Sequence, residues 1–296
     1  MLISGFHLLH SLIRIIVAII FFAEVSDDRT LVDEIPYRLD SPDLVHILPH
    51  NLDEISGLTP IDSVHVAAVQ DEKGTLFILN VETGKIVDSV RFAGRGDYEG
   101  VEAIGNQIFV LRSDGDLFMF SSDRATWSDR TPSKRIRTRL SSRYDAEGLA
   151  YDATSGTVLI VCKEYPGKGF RRSRAVYTFD LRSKKVSDDP AFVLSSDSLA
   201  IALGESRKMH SRFKPSAIAV HPSSGNLFLL SSRNRLLLVS DWSGHILAVK
   251  KLDKDIIRQP EGIAFMPDGA LIIASEAAGG RAVLVKYSER IREERP

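Results

Sequence analysis

A short motif, in which an acidic residue precedes glycine and an apolar run, returns along this chain at a spacing near 45 residues. It reads EISGL at Glu54, YEGVEAI at Glu99, AEGLAYD at Glu147 and PEGIAFM at Glu261, and PSAIAVHP carries Ser216 in the acidic position. The steps are 45, 48, 69 and 45 residues. Each period holds short apolar runs separated by turn formers such as Gly105-Asn106 and Asp114-Gly115. Those dipeptides favour tight hairpins, so the runs read as antiparallel strands. A repeat of about 45 residues made of four strands is the unit of a β-propeller, one blade per repeat. The expected fold is all-β, a five-bladed β-propeller.

The fifth repeat, IAFMP, ALIIAS and AVLVKY, lacks an outer strand. The segment near Leu44–Leu48 lies just ahead of the first mark, where every other mark is preceded by the previous blade's outer strand. It is expected to close the ring by pairing with Val283–Tyr287, which removes exposed sheet edges. The long third step is assigned to the loop Tyr165–Arg174 and to a short helix in SDSLAIALGESRKMH with Asp197 or Ser198 as its cap. The third blade's outer strand is read as AFVLS.

Equal positions in successive blades place equal residues around one axis. Glu54, Glu99, Glu147 and Glu261 are therefore expected to ring one end of the channel. The second-strand ends, 14 to 17 residues further on, add Asp71, Glu164 and Glu276 on the same face. Two carboxylates about 6 Å apart repel by about 3 kcal/mol at an effective dielectric near 20. Protonation, neighbouring cationic side chains or a bound cation must offset this. Arg112, Lys163 and Arg233 stand beside the second ring and are candidates for neutralising it or for binding an anion. An all-oxygen donor set suits a hard cation, and a loose channel mouth suits Ca²⁺ better than Mg²⁺. The same glutamates could instead bond backbone amides of the next blade and lock the ring, and the two readings are compatible.

A formal net charge of −1 excludes general nucleic-acid affinity. The single cysteine, Cys162, excludes an internal disulfide and a cysteine metal site. No G-x-S-x-G element, phosphate-cradling glycine loop or zinc-protease helix occurs, and His65 and His221 sit at strand ends without a matching nucleophile or acid at a sensible spacing. Arg135, Arg137 and Arg139 read as a solvated edge in preference to a lipid contact. The loop YPGKGFRRSR, with Lys168, Arg171, Arg172 and Arg174, reads as solvated in preference to a rim for an anionic ligand.

Residues 1–26 are mostly apolar, with IIVAIIFFA behind Arg14 and Glu24, Asp27 and Asp28 after it. The segment is expected to form a hydrophobic helix ahead of the propeller, either an uncleaved signal anchor or a cleaved signal peptide. The charge order leaves the basic end inside. The domain is then extracytoplasmic on the periplasmic side, anchored to the inner membrane, or secreted after cleavage. The remaining boundaries are a linker at 27–36, the propeller at 37–288 and a charged tail at 289–296.

The stretches LDEISGLT, VAAVQDEKGTLFILNVETGKIV, GDYEGVEAI, DAEGLAYD and QPEGIAFMPDG resemble the SdiA-regulated family of bacterial propellers. The resemblance implies five blades, a membrane-proximal amino-terminal segment and a Ca²⁺ site, with a family name that reflects transcriptional control rather than activity. More distantly, the marks look like those of β-propeller phytases and lactonase-type propellers. The expected function is a monomeric, non-catalytic Ca²⁺-binding module whose face takes a ligand or protein, with a Ca²⁺-dependent hydrolase of phosphoesters or lactones as the alternative.

Overall fold

A computed structural model describes residues 35–204 and 213–290. The amino-terminal hydrophobic segment, most of the linker at 27–36 and the end of the charged tail lie outside the described residues. No helix among the described residues is long and apolar enough to cross a membrane.

Five antiparallel sheets form five blades. The first holds β2 (Ile55–Pro60), β3 (His65–Gln70), β4 (Lys73–Asn80) and β5 (Ile86–Arg95). The second holds β6 (Tyr98–Ile104), β7 (Gln107–Arg112), β8 (Leu117–Ser121) and β9 (Lys134–Ile136). The third holds β10 (Ala146–Asp152), β11 (Thr157–Cys162) and β12 (Ser173–Asp180), and β12 carries both β13 (Lys185–Val186) and β14 (Phe192–Ser195) on its outer edge. The fourth holds β15 (Ala217–Val220), β16 (Leu227–Ser231), β17 (Leu236–Ser240) and β18 (Ile246–Lys251). The fifth holds β19 (Gln259–Phe265), β20 (Leu271–Glu276) and β21 (Val283–Tyr287), with β1 (Leu44–Ile47) antiparallel to β21 on its outer edge.

The third blade departs from expectation at its outer edge, where two short strands divide the work of one. A short helix, α1 (Ser196–Ala202), follows β14 directly. Its cap is Ser195, whose hydroxyl accepts from the Ser198 amide at 3.0 Å, not Asp197 or Ser198. Serine is a strong N-cap, and the strand end leaves it extended as a cap requires.

The middle strands read as unbroken apolar runs because both faces of each sheet are covered. TVLIVC in β11 is the clearest case, with Val158 to Cys162 at 1% exposure or less. Cys162 is one of these buried residues. A separate apolar cluster fills each of the five seams between neighbouring blades. Outer strands such as β1 alternate between part-buried and exposed positions, as an edge bordering water should.

The first strands β2, β6, β10, β15 and β19 neighbour one another in a closed cycle around the axis. Glycine makes this approach close. A Cβ on Gly100 would lie 2.9 Å from the Leu149 amide nitrogen, and one on Gly148 would lie 2.9 Å from that of Ile218. The glycine of the motif is therefore a demand of packing at the axis, since any side chain would push the next blade away.

Candidate functional site: a carboxylate-lined axial face

Strand pairing fixes which residues are equivalent. Ile55 faces Gln70, Tyr98 faces Arg112, Ala146 faces Cys162 and Pro260 faces Ser275. In each of these blades the register shifts immediately afterwards. Such a bulge re-aims the unpaired side chain. The re-aimed residues are Ser56, Glu99, Glu147 and Glu261, with Ser216 at the corresponding place in the fourth blade. Glu54 is not among them. It stands two residues earlier, in a row with Asp97, Asp145, Lys214 and Gln259. The motif EISGL aligns on Ser56-Gly57, so the first glutamate belongs to a different circle from the other three.

The two ring serines link blades. Ser56 donates to the Tyr98 carbonyl at 2.5 Å and Ser216 to the Pro260 carbonyl at 2.7 Å, in each case to the residue just ahead of the next mark. The blade-locking role expected of glutamate toward amides is thus filled by serine toward carbonyls. Glu99 lines a narrow opening at the axis together with Gly57, Gly100, Gly148 and Ala217. The free space there is about that of one water molecule.

Glu99, Glu147 and Glu261 share one electrostatic environment. Burial, with Glu147, Asp97 and Glu261 close by, lifts the Glu99 carboxyl well above the ordinary range. Glu147 is 3% exposed, and burial pushes it up to about 8 even though Lys163 Nζ lies 2.7 Å from its Oε1. Burial also raises Glu261, against the hydrogen bond from Gln259 and the charge of Lys163. The Lys163 ammonium is raised, because the pull of Glu147 outweighs the opposing effect of burial.

The second-strand ends form the circle Asp71, Ser113, Lys163, Ser232 and Glu276. Glu164, expected here, falls one residue beyond Lys163, lies exposed and is ion-paired with Lys214. Asp71 and Glu276 belong to neighbouring blades because the ring is closed, and they meet Glu54 between them. One oxygen from each of Glu54, Asp71 and Glu276 falls within 4.8 Å of the others. Burial, followed by Glu54, Asp97 and Glu72, raises Asp71 to about 6. Burial, followed by Glu261, Glu54 and Asp71, raises Glu276 to about 8. Gln259 donates to Glu261 at 3.1 Å and also to Glu276, tying the two circles together. The Asp71 Oδ1 oxygen is buried and has no hydrogen-bond partner.

The three cationic candidates separate. Lys163 faces inward on Glu147. Arg112 is held by Asp114 at 2.5 Å and Asp116 at 3.4 Å, over the ring of Phe118. Arg233 is exposed in the turn between β16 and β17. Sequence reasoning passed over Asp97, Asp145, Lys214 and Gln259. Their signal was the constant offset of two residues before each ring position, hidden because the first motif was aligned on Glu54.

Five closed blades around a channel whose mouth is lined by carboxylates define a β-propeller with an acidic axial face. The chain belongs to the SdiA-regulated family, whose sequence profile matches residues 44–278. Solved structures of similar fold include a luciferin-regenerating enzyme, at 11% identity and a TM-score of 0.53, over 84% of this chain and 95% of that one. The glutaminyl cyclase of Myxococcus xanthus is similar at 16% identity and a TM-score of 0.51, over 82% and 95%. At these identities the likeness is one of fold.

Proposed function

We propose that this protein is an exported Ca²⁺-binding propeller, anchored to the inner membrane by its amino-terminal segment or secreted after cleavage, that presents its acidic face to a ligand or protein partner. The observation that carries the cation is the meeting of Glu54, Asp71 and Glu276, with one buried Asp71 oxygen left without a donor. A hard divalent ion satisfies that oxygen and offsets the mutual repulsion. These residues replace the set Glu54, Glu99, Glu147 and Glu261 as the proposed ligands. Lys163 already serves Glu147, and Glu99 and Glu261 flank the site. The ion would supply charge neutralisation across the seam between the first and fifth blades.

Calorimetric titration of EDTA-stripped protein with Ca²⁺ tests this. Binding is expected, with a rise in Tm that Asp71→Asn and Glu276→Gln abolish. Above about pH 8, where both carboxyls are ionised, the same variants should raise the Tm of the metal-free protein, because each then removes a like charge. Absence of both binding and thermal shift would sink the reading.

The raised carboxyls at the channel mouth also favour a second reading, a Ca²⁺-dependent hydrolase of phosphoesters or lactones. Groups held near neutrality are suited to proton transfer. Here Glu147 would hold or release a proton, and Lys163 or Arg233 would hold an anionic group. A screen of phosphomonoesters, phytate and lactones addresses it. Turnover that persists in Glu99→Gln and Glu147→Gln would remove these residues from the chemistry.

A further inference from the structure

The linker from β9 to β10, residues 137–145, and the loop from β11 to β12, residues 163–172, run side by side on the axial face. Three backbone bonds join them: Lys163 N to Asp145 O at 2.8 Å, Glu164 N to Tyr144 O at 3.1 Å and Tyr165 N to Arg143 O at 3.2 Å. Their side chains interleave. The Arg143 guanidinium lies 3.5 Å from the centre of the Tyr165 ring, and Tyr144 meets Tyr165 edge-on at 5.1 Å. Arg139 lies over Tyr177 at 5.1 Å, and the Tyr177 hydroxyl donates to the Pro166 carbonyl at 3.0 Å. At its far end the loop is tied down by Ser196 N to Arg172 O at 2.9 Å. The backbone is thus held at both ends, and Arg137, Arg139, Arg143, Lys168, Arg171 and Arg172 are exposed upon it.

These cations lack the counter-ions that surface charges ordinarily find. Among the described residues, Arg143, Lys168, Arg171 and Arg172 form no ion pair with a carboxylate. Arg139 spends its donors on the Ser187 and Asp188 carbonyls and reaches the exposed Asp188 carboxylate only at 3.8 Å. Glu164, the one acid of the loop, is taken by Lys214. Residues 130–185 carry fourteen Lys and Arg against five Asp and Glu, in a chain whose formal net charge is −1. Holding like charges together on a fixed backbone is unfavourable until an anion joins them.

We propose that this sector of the axial face, over the seam of the second and third blades, binds phosphate groups. Five of the six side chains named above are arginines, whose planar forks match phosphate oxygens two at a time; Arg143 is pre-positioned on the Tyr165 ring, whereas Arg139, its fork engaged by backbone carbonyls, adds only its charge. A doubly charged group also answers several neighbouring cations where a single carboxylate answers one. The phosphate belongs either to a small soluble ligand or to a lipid headgroup, and the chemistry of recognition is shared. The sector lies apart from the Glu54, Asp71 and Glu276 cluster, so the inference is independent of the cation reading.

The test uses the full chain in EDTA, which excludes metal-bridged binding. One arm titrates pyrophosphate by calorimetry. The other measures co-sedimentation with vesicles containing phosphatidylglycerol, with pure phosphatidylcholine vesicles as the baseline. Binding in the first arm assigns a soluble ligand, and binding above baseline in the second assigns a headgroup. In either case Lys168→Gln with Arg171→Gln should weaken it at least tenfold, and 0.5 M salt should weaken it further. Arg143→Lys, which keeps the charge but loses the fork, should weaken it as well. If neither probe binds, or if the double variant binds as the parent does, the proposal is overturned. Ca²⁺ titration of the same samples reports separately on the acidic cluster.

Discussion

Lys163 occupies the position at which the first and fifth blades carry Asp71 and Glu276. The third blade thereby inserts its own cation into the acidic face. Its partner Glu147 is almost fully enclosed, so replacing Lys163 by Met would leave a buried carboxylate uncompensated. The expected loss is about 3 kcal/mol at pH 8.5, and much less at pH 5, where Glu147 is protonated and needs no partner. Urea unfolding of Lys163→Met at the two pH values measures this; equal losses would show that the ion pair is not the cause. Gly100 makes a different kind of demand. Alanine there would drive a methyl group against the Leu149 backbone, with an expected cost of about 1–3 kcal/mol and an unchanged m-value.

At the scale of the element, the bulge at the start of four of the five first strands matters most. It breaks the strict alternation of the strand and turns the mark residue toward the axis, so a site is built from the backbone before any side chain is chosen. The outer strand β1 carries the other element-scale consequence, because it joins the first and last strands of the propeller in one sheet. Leu48, immediately after it, is fully buried in the seam between the fifth and first blades. Its amide donates to the Ala282 carbonyl at 2.8 Å. Leu48→Ala is expected to destabilise the protein by about 2–5 kcal/mol in thermal or urea unfolding, through the cavity it leaves. An effect below about 1 kcal/mol would mean that the seam collapses to fill the space.

For the molecule as a whole, the raised carboxyls fix how stability should depend on pH. Asp71 rises to about 6 and Glu147 and Glu276 to about 8, from ordinary values of 3.8 and 4.5. A carboxyl raised in the folded state binds its proton more tightly there than in the unfolded chain. The stability it contributes is complete below about pH 4 and is lost as pH rises through about 6 to 8. The metal-free protein should therefore lose stability across that window. Ca²⁺, which takes the ionised groups, should restore it most at the alkaline end. Melting curves at pH 5 and 8.5, with Ca²⁺ or with EDTA, provide the check, and a metal-free Tm that climbs over the window would contradict the shared-charge picture.

The periodicity of the marks and the apolar runs between them determined the five blades, since a sheet buried on both faces requires those runs in every repeat. The acidic character of one face was equally legible, because equal offsets in equal blades must fall on one circle. Pairing register alone decided which circle each residue joined. Aligning EISGL on Glu54 grouped that residue with Glu99, Glu147 and Glu261, whereas the register aligns Ser56 with them and sets Glu54 beside Asp71 and Glu276. Ring closure decided that last meeting, for it brings the first and fifth blades together although their residues stand about two hundred positions apart. The linear sequence holds no record of how a bulge turns a side chain or of which carboxylate a lysine reaches, because both follow from the packing of neighbouring blades.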